Sequence, residues 1–173
     1  MDIRWTPHTS YGIMWTNLFL SRRKNYAKSN FNNIGNVYSD EGDYDLALDY
    51  FNRALKIFKA LNDKTCIANC LNNIGIIYFY QKCNYDLALN YFITTLDIRE
   101  KLADTYRKGI ALGNIGNVYC MIGEYDKSLH FANRALQIEE SLSDKNGMVD
   151  TLYNIGHINF HKNNYENTIK YFN

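Results

Sequence analysis

The triplet Asn-Ile-Gly begins at Asn33, Asn73, Asn114 and Asn154, at spacings of 40, 41 and 40 residues. A fixed period of this size marks a chain made by stacking one supersecondary unit, because a single unit cannot bury its own apolar face. The surrounding phrases repeat as well. "FNNIGNVYSDEGDYDLALDYFNRAL" returns as "LNNIGIIYFYQKCNYDLALNYFITTL", then "LGNIGNVYCMIGEYDKSLHFANRAL", then "LYNIGHINFHKNNYENTIKYF". The extra residue of the second phrase falls in "QKCNYD", which marks a loop. The units run over about 24–63, 64–104, 105–144 and 145–173, and 1–23 forms a non-repeat segment.

Each unit holds two apolar patterns of helical period. In the first unit Phe31, Ile34, Val37 and Tyr38 share one face of a first helix. Tyr44, Ala47, Leu48, Phe51, Ala54, Leu55 and Phe58 form a stripe on a second. "EGDYD" separates them, with Gly42 suited to the left-handed residue that ends a helix and Asp43 to the N-cap of the next. Asp63, Asp104 and Asp144 follow "LN", "LA" and "LS" and read as N-caps of the next first helices. The single proline, Pro7, lies outside the array, so nothing interrupts the helices. The pattern predicts an all-α superhelix of about four helix-turn-helix units, the last one truncated.

Gly35, Gly75, Gly116 and Gly156 recur mid-helix, where glycine costs about 1 kcal/mol against alanine. Close approach of the paired helix is the compensating reason, and Ala47, Ala88 and Ser128 are the small residues expected to answer it.

These positions together resemble the tetratricopeptide repeat. That family places a small residue in its first helix, a tyrosine three residues on, then alanine, aromatic and alanine in its second. The first unit supplies Gly35, Tyr38, Ala47, Phe51 and Ala54; the second supplies Gly75, Tyr78, Ala88 and Phe92, with Thr95 for the last alanine. The third has Gly116, Tyr119 and Ala135, but Ser128 and Ala132 stand at the alanine and aromatic positions, and Phe131 beside them is a candidate to fill the gap. The fourth has Gly156 and Phe172, with Asn159 and Thr168 as departures. The family's unit-ending proline is missing throughout. Units near forty residues resemble the subclass found in kinesin light chains, cell-polarity scaffolds and bacterial signalling proteins.

At the ends, Ile13 to Arg22 reads as a helix that caps the array. The repeat breaks off at Asn173 midway through a second helix, which reads as a fragment of a longer chain because solenoids need capped ends. The apolar run from Tyr11 to Leu20 is too short to span a bilayer, and its basic cluster follows it, the reverse of a secretory signal.

Such an array exposes residues of its first helices in a groove. Helical spacing assigns to it Ser29, Asn32, Asn33, Asn36 and Asp40; Asn69, Asn72, Asn73, Ile76 and Tyr80; Ile110, Asn114, Asn117 and Met121; and Asp150, Tyr153, Asn154, His157 and His161. An amide carries donor and acceptor together, so a row of asparagines can hold a peptide backbone without demanding its sequence. In the tetratricopeptide proteins that bind extended peptides, asparagines at this register do so. The other reading is that each amide bonds the neighbouring helix. Tyr80, Tyr153 and Phe160, with Met121, make the later part aromatic, which suits an apolar anchor. The family's clamp for chaperone tails needs lysines and arginines; Asn32, Ile110 and Asn114 stand there instead, so that ligand is not expected.

Net charge is +1, which gives no field for nucleic acid or an anionic membrane. Cys66, Cys70, Cys83 and Cys120 lack disulfide or zinc spacing and read as reduced, half-buried thiols. No Asn-x-Ser/Thr sequon occurs, in keeping with a cytoplasmic setting. His157 and His161 are four apart, a spacing metals can use, but no Glu or Asp lies between them and Asp150 is a turn or more away. There is no phosphate loop and no nucleophile elbow. The expectation is a non-enzymatic, cofactor-free module for a protein or peptide partner. The alternative is the sensory portion of a longer signalling enzyme, of histidine kinase or nucleotide cyclase type, with its catalytic domain elsewhere.

Overall fold

The computed structural model describes residues 31–164 and residue 169. Ser29, the expected cap helix at Ile13 to Arg22, Thr168 and Phe172 lie outside the described residues. Among these residues the chain is helix and turn only. Helix α1 covers 31–40 of the described chain. It is followed by α2 (Tyr44–Ala60), α3 (Lys64–Tyr80), α4 (Tyr85–Lys101), α5 (Thr105–Met121), α6 (Tyr125–Leu142) and α7 (Lys145–His161). Successive helices pack on one another, and α5 also touches α7, so the pairs α1–α2, α3–α4 and α5–α6 stack into an all-α superhelix.

The helix boundaries follow local chemistry. Asp43, Asp63, Asn84, Asp104 and Asp144 each accept a backbone N–H three residues on. Glu124 stands at the same place before α6 and makes no such bond. The turn within a pair needs one left-handed residue, and Gly42 and Gly123 supply it at φ 84° and 81°. In the second unit the extra residue puts Cys83 there, at φ 48°.

The core runs through the stack. Phe51, Ala54, Leu55 and Phe58 of α2 are buried with Ile67, Cys70, Leu71, Ile74 and Ile77 of α3. Phe79, Ala88 and Phe92 are buried with Ile115 and Val118 of α5. Two details differ from the sequence reading. Gly35 and Gly75 face second-helix aromatics and not Ala47 and Ala88: a Cβ on either would lie 2.7 Å from the ring of Phe51 or Phe92, whereas Gly116 meets Ser128 as expected. In the third unit Phe131 does not replace the missing aromatic. It stacks on Tyr119 at 5.5 Å, as Tyr50 does on Tyr38 and Tyr91 on Tyr78. Ala132 leaves the space empty and the helices close it: a Cβ on Gly116 would meet the Ala132 nitrogen and the Ser128 oxygen at 3.4 Å.

Val37 is also displaced from the expected inner face. It is 53% exposed, whereas Ile77, Val118 and Ile158 at the same register are buried. Ile77 is buried with residues of α2, and Val118 with Ala88 and Phe92 of α4.

Candidate functional site

The first helices lie side by side and are joined by amide pairs. Asn73 Nδ2 donates to Asn36 Oδ1 at 3.0 Å, and Asn154 Nδ2 donates to Asn117 Oδ1 at 3.1 Å. Between the second and third units the register slips. Ile76 stands where the acceptor should be, and Asn114 Nδ2 donates instead to Asn72 Oδ1 at 3.1 Å. The asparagine row therefore joins repeat to repeat. Each pair uses one donor and one acceptor, and an amide has more of both. Asn33 is set apart. It is exposed and lines a cavity of about 290 Å³ with Val37, Tyr38 and Glu41.

Three further cavities along the first helices are bordered by paired asparagines. One of about 330 Å³ is lined by Asn36, Ser39, Asp40, Asn73 and Ile76 above the buried Phe51 ring. One of about 250 Å³ gathers Tyr80, Asn117, Met121, Tyr153, Asn154 and His157 with Phe79 and Cys120. Tyr80 and Tyr153 are 60% and 59% exposed. Phe160 is not in this lining; it packs edge-on against His161. His157 stands with Nδ1 4.0 Å from Cys120 Sγ and Nε2 3.2 Å from His161 Nε2. Among the described residues no group of three such side chains converges to hold a metal.

The remaining cavity, also about 250 Å³, contains Asn32, Asn36, Asn69, Asn72, Asn73 and Ile110. It contains Arg99 and Arg107 too, which the sequence reading passed over. Arg99 is 1% exposed. Its Nη1 donates to Asp104 Oδ2 at 2.9 Å and its Nη2 to Asn69 Oδ1 at 2.5 Å, while its buried Nε has no partner. Burial pulls its pKa below the usual arginine range and Asp104 pulls it back up, which leaves a guanidinium still charged. Arg107 reaches the same Asp104 oxygen at 3.4 Å. A signal existed: Arg99 occupies the register of Phe58, and a charge inside an apolar stripe is seldom idle.

The same register in the third unit holds Glu139. Thr151 Oγ1 donates to its Oε1 at 2.9 Å, but Oε2 is buried without a partner. Burial raises its pKa; Thr151 opposes this, and Asp144 and Asp150 add to it.

The thiols differ from one another more than expected. None of the four forms a disulfide among the described residues; Cys70 is buried and Cys83 exposed. Burial, then Cys66 and Asp63, push the Cys70 thiol up to about 12. No described helix is long and apolar enough to cross a membrane.

Comparison with known proteins decides the family. A tetratricopeptide-repeat family model matches residues 26–101 and 79–141, and a second one matches 149–173. The chain is a tetratricopeptide-repeat protein. No curated protein matches this tetratricopeptide-repeat chain in sequence. Solved structures match its fold. Apo RapI superposes with a TM-score of 0.80 at 24% identity, over 85% of this chain and 53% of that one. BtubC (BKLC) from P. vanneervenii gives 0.77 at 20%, over 83% and 59%. A Rap protein complexed with Competence and Sporulation Factor gives 0.74 at 18%, over 87% and 41%. The chain thus spans less than two thirds of each of these proteins.

Proposed function

We propose that this tetratricopeptide-repeat array is a protein-interaction module holding an extended partner segment against α1, α3, α5 and α7. The observation that carries the reading is the line of three cavities along those helices, each bordered by members of the amide pairs. Asn36, Asn72, Asn73, Asn117 and Asn154 keep hydrogen-bonding capacity beyond their mutual bonds, which suits the N–H and C=O of a backbone. Tyr80, Tyr153 and Met121 offer an apolar seat for one side chain. A Rap protein of this fold has been solved with Competence and Sporulation Factor bound, which supports the reading without fixing the ligand here. The setting proposed is cytoplasmic, where thiols such as Cys83 stay reduced.

A second reading makes the array the regulatory portion of a longer signalling enzyme. It is favoured by a signal-transduction ATPase from Pyrococcus horikoshii with a tetratricopeptide repeat sensor, matched at a TM-score of 0.76 and 18% identity over 23% of that chain. The complete reading frame separates the two.

The test of the first reading is selection from a random extended-peptide library on wild type and on Asn73→Ala/Asn114→Ala, with circular dichroism to verify folding. Enrichment by wild type, lost in the folded double variant, supports backbone capture. Equal enrichment by both confines the asparagines to joining repeats.

A further inference from the structure

We propose that the cavity around Arg99 is a carboxylate-binding pocket, and that it selects an Asp or Glu side chain in the segment the groove holds. This rests on the groove reading above and adds a chemistry to it. The pocket has an excess of positive charge. Arg99 and Arg107 share one carboxylate, Asp104, and among the described residues the lining carries no Asp or Glu. It also has an excess of donors. Asn69 must present its oxygen to Arg99, since a guanidinium only donates, so its NH2 is left for something else. Asn72 and Asn36 likewise give their oxygens to Asn114 and Asn73. Arg99 Nε is a buried donor with nothing to donate to. A buried cation needs full compensation, and what the protein supplies here falls short of it. A carboxylate fits that deficit in charge and in hydrogen bonding.

The position of the pocket argues for a side chain over a chain terminus. It is lined from three successive units, by Asn36, Asn72 and Ile110 among others, and the amide pairs continue past it to Asn117 and Asn154. An extended segment that follows the row crosses the pocket in mid-course.

The experiment uses the whole chain and a synthetic extended-peptide library with acetylated and amidated ends, in parallel with one bearing free C-termini. Arg107→Gln removes an exposed cation at small cost to folding. Asn69→Asp places a carboxylate against Arg99 and fills the deficit from within. Wild type is expected to favour Asp or Glu over Asn or Gln at one position by about tenfold, the gap between a charge-assisted and a neutral hydrogen bond. Either variant, verified as folded, is expected to lose most of that preference, which should also weaken between about 0.05 and about 0.5 M NaCl. Peptides bound with no acidic preference, or with one unchanged in both variants, overturn the pocket and leave the groove standing. An acidic preference confined to free C-termini overturns the side-chain assignment. If no peptide binds, the groove reading fails and this inference fails with it.

Discussion

At the scale of single residues, one register of the repeat carries three different solutions. Phe58, Arg99 and Glu139 stand at the same place in successive second helices: the first is plain core, the second a buried cation, the third a half-buried acid with one carboxylate oxygen fully enclosed. The acid has a pH signature. Its pKa is raised in the fold, so between the ordinary carboxylate range and the folded value the native state binds more protons than the unfolded chain. Stability therefore falls as pH rises through that window. Glu139→Gln keeps the Thr151 hydrogen bond and removes the charge facing Asp144 and Asp150. It should melt higher than wild type at pH 7, with the gain vanishing below about pH 4, where both side chains are neutral. Melting curves across that range check it; a variant that melts lower at pH 7 shows the charge to be favourable.

The repeated glycines separate in the same way. A methyl on Gly75 strikes the buried Phe92 ring at 2.7 Å, whereas one on Gly116 meets its nearest neighbours at 3.4 Å. Gly75→Ala should therefore destabilise by about 1–3 kcal/mol through overpacking. Gly116→Ala should fall between neutral and about 1 kcal/mol stabilising, because helix propensity then dominates. Urea denaturation of both measures the difference, and equal effects would rule out ring contact as the reason for Gly75.

At the scale of helices and turns, much was readable from sequence because the signals are local. Asp43, Asp63, Asp104 and Asp144 cap where expected, since an N-cap depends only on residues within one turn. Gly42 takes the left-handed turn for the same reason. What was not readable depends on a neighbouring unit. Ile76 diverts Asn114 to Asn72, and no property of either asparagine announces that. Val37 shares the apolar pattern of Ile34 but is exposed, because pattern reports which face is apolar and not whether anything covers it. In the candidate site the first-helix positions were legible by spacing, whereas Arg99 belongs to a second helix whose side chain reaches through to the same cavity. Helix α6, the one among α2 to α7 without a side-chain cap bond, gives a prediction. Glu124 is one methylene too long to cap α6 as the aspartates cap their helices, and its exposed pair with Lys127 contributes little. Glu124→Asp should stabilise by about 0.5–1 kcal/mol, measurable as a shifted urea midpoint at unchanged slope.

At the scale of the whole molecule, stability is distributed by neighbourhood. The substantial contacts among the described helices join those one or two apart in the chain, so each unit is held by the units beside it. Stability then approximates a sum of unit and interface terms. The units containing α3 and α5 have described neighbours on both sides. The first unit presents Val37 to solvent on one side. Native-state hydrogen exchange should therefore be slowest in α3 and α5 and faster in α1. Leu112 tests the coupling, being wholly buried in α5. Leu112→Ala should cost about 2–5 kcal/mol, and the lost protection should be greatest in α4, α5 and α6 and least in α1. Uniform loss along the array would instead mean that it opens as one cooperative body. The proposed partner segment would then meet a rigid surface and not a chain of separately adjustable joints.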